Sequence, residues 1–129
     1  MLFRSWPEWF RPTAVEYAAQ VSLAGAFGRV HPLTRAGDVL LVPTPGHSYG
    51  HQSVLLLGEP SVLFAGDVSF DQAQMYRQQT PGISSSMSGA RQSLAAVRRH
   101  LDTVPTVYLP SHDPSSLQRL RTRQVASPQ

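Results

Sequence analysis

The chain has 129 residues, 41% of them hydrophobic, which is one ordinary domain or part of one, with too much apolar content for a disordered segment. It contains no cysteine, so a disulfide framework, a thiolate metal site and a cysteine nucleophile are excluded, and any metal must be held by histidine and carboxylate. The net charge of +3 rests on arginine alone. Because these arginines form no single basic run, neither a nucleic-acid nor a membrane partner is expected.

Met1 to Pro7 lacks the apolar core of a signal peptide, so a soluble, cytoplasmic protein is expected. Residues 1–36 read as an irregular lead-in, with Trp6, Trp9, Phe10 and Phe27 scattered among prolines and glycines. One short helix or strand is expected around Val15 to Leu23, and His31, followed by proline, reads as a loop residue. From Asp38 the pattern sharpens. Val39 to Val42 is an apolar run stopped by Pro43 and Pro45, which predicts a buried strand. Ser53 to Leu57 and Val62 to Ala65 are two further runs. The Gly58-Glu59-Pro60 turn between them predicts a hairpin.

Residues 68–86 show no sustained period and read as a long functional loop with one helical turn. Ala90, Leu94, Val97 and Leu101 recur on one helical face, and Ser86 or Ser88 is available as the N-cap. Thr106 to Leu109 reads as another strand. Asp113 and Pro114 then serve as N-cap and first-turn proline of a terminal helix running to Arg123. Arg91, Arg98 and Arg99, like Arg119, Arg121 and Arg123, read as solvated helix faces, and Val125 to Gln129 as a fraying tail. The domain reading is therefore a lead-in at 1–36, a partial domain at 37–123 and a tail at 124–129.

Three polar clusters follow predicted strands, where layered α/β folds place their sites. His47 and His51 lie in Thr44-Pro45-Gly46-His47-Ser48-Tyr49-Gly50-His51, a loop whose constraint can present an imidazole as a metal ligand. Asp67 closes Phe64-Ala65-Gly66-Asp67, where a carboxylate at the end of an apolar strand is costly without a cation or several donors. His112 and Asp113 end Leu109-Pro110-Ser111-His112-Asp113. Each cluster alone is equally a polar turn, a capping aspartate or a loop histidine. Jointly, three such clusters in order suit zinc, and also iron or manganese.

Their combination resembles the metallo-β-lactamase superfamily. Residues 47–51 are similar to its Gly-His-Thr-x-Gly-His motif with Ser48 in place of Thr, residues 64–67 to its Gly-Asp motif, and Ser111-His112-Asp113 to its final histidine motif. From Leu33 to Leu120 the chain is most similar to N-acyl homoserine lactonase-like hydrolases. The resemblance implies an α/β fold, the C-terminal half of an αββα sandwich with a mixed sheet and flanking helices.

It also implies that His47 binds a first metal, His112 a second, and Asp67 both, with His51 and Asp113 in support. The implied reaction is hydrolysis of a lactone, thioester or related ester by a metal-held hydroxide that Asp67 orients, which would make the protein quorum-quenching in type. Two departures stand out. No His-x-His-x-Asp-His motif precedes His47, and Phe70 stands where lactonases carry a substrate-adjacent tyrosine. A truncated hydrolase, inactive alone and binding at most one zinc weakly, is therefore expected. The rival expectation is a non-catalytic interaction fragment that forms a homodimer, or pairs with a complementary N-terminal half, through an uncovered sheet face.

Overall fold

The computed structural model describes residues 7–11, 21–23 and 25–128. Short apolar runs punctuated by proline and glycine form six strands, β1 (Val21–Leu23), β2 (Gly28–Pro32), β3 (Val39–Pro43), β4 (Gln52–Leu56), β5 (Ser61–Gly66) and β6 (Thr106–Pro110). The helices are α1 (Gln72–Tyr76), α2 (Met87–Thr103) and α3 (Ser116–Thr122). The strands lie in sequence order in one sheet. Every pairing is antiparallel except that of β5 with β6, which is parallel and is connected through α1 and α2. The architecture is thus α/β, a mixed sheet with flanking helices.

Alternation along the strands decides the faces. Leu40, Leu55, Leu63 and Tyr108 are in register across four strands, and all are buried in one cluster with Leu94, Val97 and Leu101 of α2 and Met75 of α1. The other parity gives Val54, Phe64 and Leu109 in register, and there Phe64 and Leu56 stay exposed. The four-residue stripe of α2 is buried as its spacing predicts, and Ser86 Oγ accepts the N–H of Gly89 as its N-cap.

Four expectations are corrected. The lead-in read as irregular holds β2 as well as β1, which falls in the stretch expected as a short helix or strand, and His31 is a strand residue paired with Leu41 and not a loop residue. The remainder of the 15–23 expectation lies outside the described residues. The terminal helix starts at Ser116 with Ser115 as N-cap, and Asp113 stands two residues ahead, its carboxylate accepting the Ser115 N–H and its carbonyl the Ser116 N–H. The tail does not fray through 126. Ala126 is buried, and its N–H donates to the carbonyl of Thr106 at 2.9 Å, which ties the segment to the start of β6. Arg119 is not on a solvated face but is 7% exposed. Among the described residues no helix is long and apolar enough to cross a membrane.

His100, in the last turn of α2, is buried between the Phe27 ring, 5.0 Å away, and Thr106 Oγ1, 3.2 Å from its Nε2. Thr106 already donates its hydroxyl to Val104 O, so it accepts from an Nε2–H of a neutral ring. A helix C-terminus favours imidazolium, but burial wins and lowers the His100 pKa. A histidine lowered on folding contributes stability that is present above its unfolded pKa, about 6.5, and lost as pH falls through its folded value. The stability advantage of the native chain over His100→Gln should therefore shrink on acidification below about pH 6.5. Thermal unfolding of both proteins across pH 5 to 8 measures this, and a constant difference would contradict it.

Candidate functional site

Strand direction gathers the site. β3, β5 and β6 run the same way, so the loops bearing His47, Asp67 and His112 leave one end of the sheet. The antiparallel β4 starts at that same end and brings His51 there. His47 Nε2 lies 3.5 Å from Asp67 Oδ2, and His112 Nε2 lies 3.1 Å from Asp67 Oδ1. The carboxylate stands between two imidazoles, one on each oxygen.

The His47 ring is oriented from behind. Its Nδ1 is 3.0 Å from Ile83 O, a partner that can only accept, so Nδ1 carries a proton. In the neutral ring the Nε2 lone pair then faces Asp67. The 83–86 segment holds the backbone as well, with Ser85 N–H and Oγ on His47 O and Ser86 N–H on Gly46 O. Gly46 has φ +149, and a Cβ on it would lie 2.5 Å from the Ala90 Cα. Only glycine lets this loop sit on the first turn of α2.

His51 is a support for Asp67. Its Nε2 accepts the Asp67 N–H at 2.9 Å, which leaves Nδ1–H to donate to Thr44 O, also at 2.9 Å. Beneath it, Thr44 Oγ1 is 2.9 Å from Ser53 Oγ, and Ser53 donates to Ala65 O. Gly66, at φ +60, closes the turn, and a Cβ there would meet His51 Nε2 at 2.7 Å. These buried hydroxyls were not singled out from the sequence, where nothing distinguishes them from other polar residues.

Asp113 neither caps α3 nor touches a site ring. It accepts from Gln72 N–H, Ser115 N–H and the Arg119 guanidinium. Burial alone would raise its pKa, but Arg119 and these two backbone donors outweigh it and hold the carboxyl below its ordinary value. Phe70 meets His112 edge-on, with ring centroids 5.7 Å apart at 85°. On the far face of the sheet, a hollow of about 370 Å³ opens beside Gly66 and Ser111, lined by Phe64, Leu109, Leu117 and Leu120.

Asp67 Oδ1 is buried and makes no hydrogen bond, since the nearby His112 nitrogen does not reach it in bonding geometry. Such an orphaned anionic oxygen beside two imidazoles fits a cation. As placed, however, no group of three or more His, Asp or Glu among the described residues forms a set that could hold a metal ion. The donor chemistry fits; the closure of the ligand set does not.

The described sheet and helices share the metallo-β-lactamase fold of N-acyl homoserine lactonases. One solved structure is an N-acyl homoserine lactone hydrolase with the product N-hexanoyl-L-homoserine at its catalytic metal centre, at TM-score 0.60 and 23% identity. Another is a B. thuringiensis AiiA variant with N-decanoyl-L-homoserine bound at the active site, at TM-score 0.59 and 23% identity. Each match covers 69% of this chain and 35% of the other, so the chain spans about a third of the length of these structures. At this identity the likeness is one of fold. No family model and no curated protein matches the chain.

Proposed function

We propose that this chain carries part of the metal site of a hydrolase acting on lactones, thioesters or related esters, with His47, Asp67 and His112 as ligands. One observation carries the reading. His47 turns its Nε2 lone pair toward Asp67 Oδ2, and the other carboxylate oxygen, Oδ1, is buried beside the His112 ring with no hydrogen-bond donor, an arrangement that a cation at the carboxylate would satisfy on both sides. The product at the metal centre of the lactone hydrolase neighbour supports the substrate class. Zinc suits the His and carboxylate donors, as do iron and manganese.

A metal held there by His47, Asp67 and His112 would supply Lewis acidity and activate a water at neutral pH. The chain's own part is to hold Asp67 through His51, to hold His47 through Ile83, and to present Phe70 beside His112 at the substrate side. Residues 37–123 bear the site, within a core that Val30 of β2 and Ala126 complete, and a quorum-quenching role follows if the substrate is an acyl homoserine lactone.

Zinc titration of the purified metal-free chain tests the reading. We expect at most one equivalent, bound weakly and lost in Asp67→Ala, and no lactone or thioester hydrolysis above background until a chain bearing His-x-His-x-Asp-His is supplied in trans. Two equivalents surviving dialysis, or zinc-dependent turnover by the chain alone, would overturn it.

A second reading is favoured by the exposed Leu56, Phe64, Leu117 and Leu120 on the far face. There the chain acts as a non-catalytic fragment that forms a homodimer or binds a complementary N-terminal half. Sedimentation of the chain and of Phe64→Asp separates the two readings. Zinc binding unaffected by this change favours the first, and a dimer that dissociates favours the second.

A further inference from the structure

We infer that Arg119 is a positioning residue of the site, which it reaches through Asp113 without touching any of the three ligands, and this inference rests on the metal reading above only for the zinc half of its test. A buried guanidinium on a seven-residue helix needs partners for its donors, and they are directional. Its terminal nitrogen meets Asp113 Oδ2 at 2.6 Å, and its Nε donates to Tyr108 O at 3.2 Å. One planar group thus ties the last strand to the turn that follows it.

Asp113 carries the tie across to the other ligand loop. With Arg119 holding it, the carboxylate accepts the N–H of Gln72 at 3.1 Å, at the start of α1, and that of Ser115 at 2.9 Å. The buried Tyr108 supplies a second crossing: its hydroxyl is 2.8 Å from Ser69 Oγ, which itself donates to Asp71 O, so Tyr108 donates to Ser69. Asp67 opens the segment that these two crossings pin, and His112 immediately precedes Asp113. The His112 side chain is 63% exposed. Its height over Asp67 is therefore set by backbone anchored through Asp113 and Arg119. Capping alone does not explain the pair, because α3 begins three residues after Asp113 and its N-cap makes no side-chain bond.

Two measurements on Arg119→Met, Arg119→Lys and the native chain test the inference. The first needs no metal: in nuclear Overhauser spectra of the metal-free proteins, the cross-peak between the His112 and Phe70 rings should be lost in Arg119→Met and His47 resonances should stay in place. The second is a zinc competition titration. Arg119→Met should bind about 10- to 100-fold more weakly, the range seen when a group behind a ligand is removed. Arg119→Lys, able to serve one acceptor but not both in the same plane, should fall between.

Native ring contacts together with native zinc affinity in a folded Arg119→Met would overturn the inference. If the native chain takes up no zinc, the metal reading fails while the ring contact still decides the positioning role. Should Arg119→Met not fold, Asp113→Asn supports the same comparisons. It keeps an acceptor for Ser115 but loses the charge that holds Arg119, and an unchanged His112 to Phe70 contact in it would equally refute the proposal.

Discussion

Gly46→Ala should be among the most damaging single-methyl additions in the chain, costing about 3 kcal/mol or more from overpacking and backbone strain together. The added Cβ would lie 2.5 to 2.8 Å from the Ala90 Cα, N and Cβ, atoms of a helix that cannot yield as a flexible side chain does. At φ +149 the alanine is also strained irrespective of space. Relief requires the loop to lift from α2. That breaks the bonds of Ser93 Oγ to Pro45 O and Ser86 N–H to Gly46 O, and carries His47 away from Asp67. Denaturant unfolding measures the stability loss, and zinc titration should show affinity falling with it. Gly50→Ala is the control: nothing lies within 4 Å of its added Cβ, and it has no positive φ, so a comparable loss there would show that the close approach to Ala90 is not the cause.

What could be read from the sequence depended on whether the physics was local. The apolar runs at 39–42, 53–57 and 62–65 and the α2 stripe at Ala90, Leu94, Val97 and Leu101 are patterns of period, and all became strands or a buried helix face. β1 falls at the end of the stretch expected as a short helix or strand at 15–23, whereas β2 was not read as a strand. Its five residues begin at Gly28 and end at Pro32, too few for periodicity to separate from loop, and pairing with β3 decides the matter. The three ligand candidates were legible as polar residues following strands. That they converge follows from the common direction of β3, β5 and β6, a property of topology that no single cluster contains.

Arg119 marks the limit. Its spacing from Arg121 and Arg123 is that of any solvated helix end, and its burial arises from Asp113 and the Tyr108 carbonyl, which the turn after β6 folds over it. The same turn gives the Asp113 carboxylate two tasks, one oxygen on the buried guanidinium and the other on the Ser115 N–H just ahead of α3. The Ile83 carbonyl behind His47 is a backbone atom, and side-chain identity gives no sign of such a partner.

Breaking this pair should have the largest effect on stability. In Arg119→Met the Asp113 carboxylate stays buried without its cation, a change that costs about 3–5 kcal/mol in comparable pairs. The pH dependence identifies the cause. In the native chain Asp113 is held below its ordinary pKa, so its contribution is fully present above about pH 3.9 and is lost only as pH falls through the lower folded value. Without Arg119 the carboxyl loses its cation while burial still acts on it, so its pKa moves up from the native value and acid neutralises it earlier in the variant than in the native chain. The deficit should be greatest at neutral pH and narrow as pH falls toward 4. Replacing both residues, Arg119→Met with Asp113→Asn, removes the stranded charge and keeps one acceptor oxygen, for Ser115, while losing the one that served Gln72. The double variant should recover part of the loss at pH 7 and show no narrowing with acid. Urea unfolding of the three proteins at pH 7 and near pH 4 reads both quantities, and a deficit that does not change with pH would mean that lost packing, and not the unpaired carboxylate, accounts for the cost of losing Arg119.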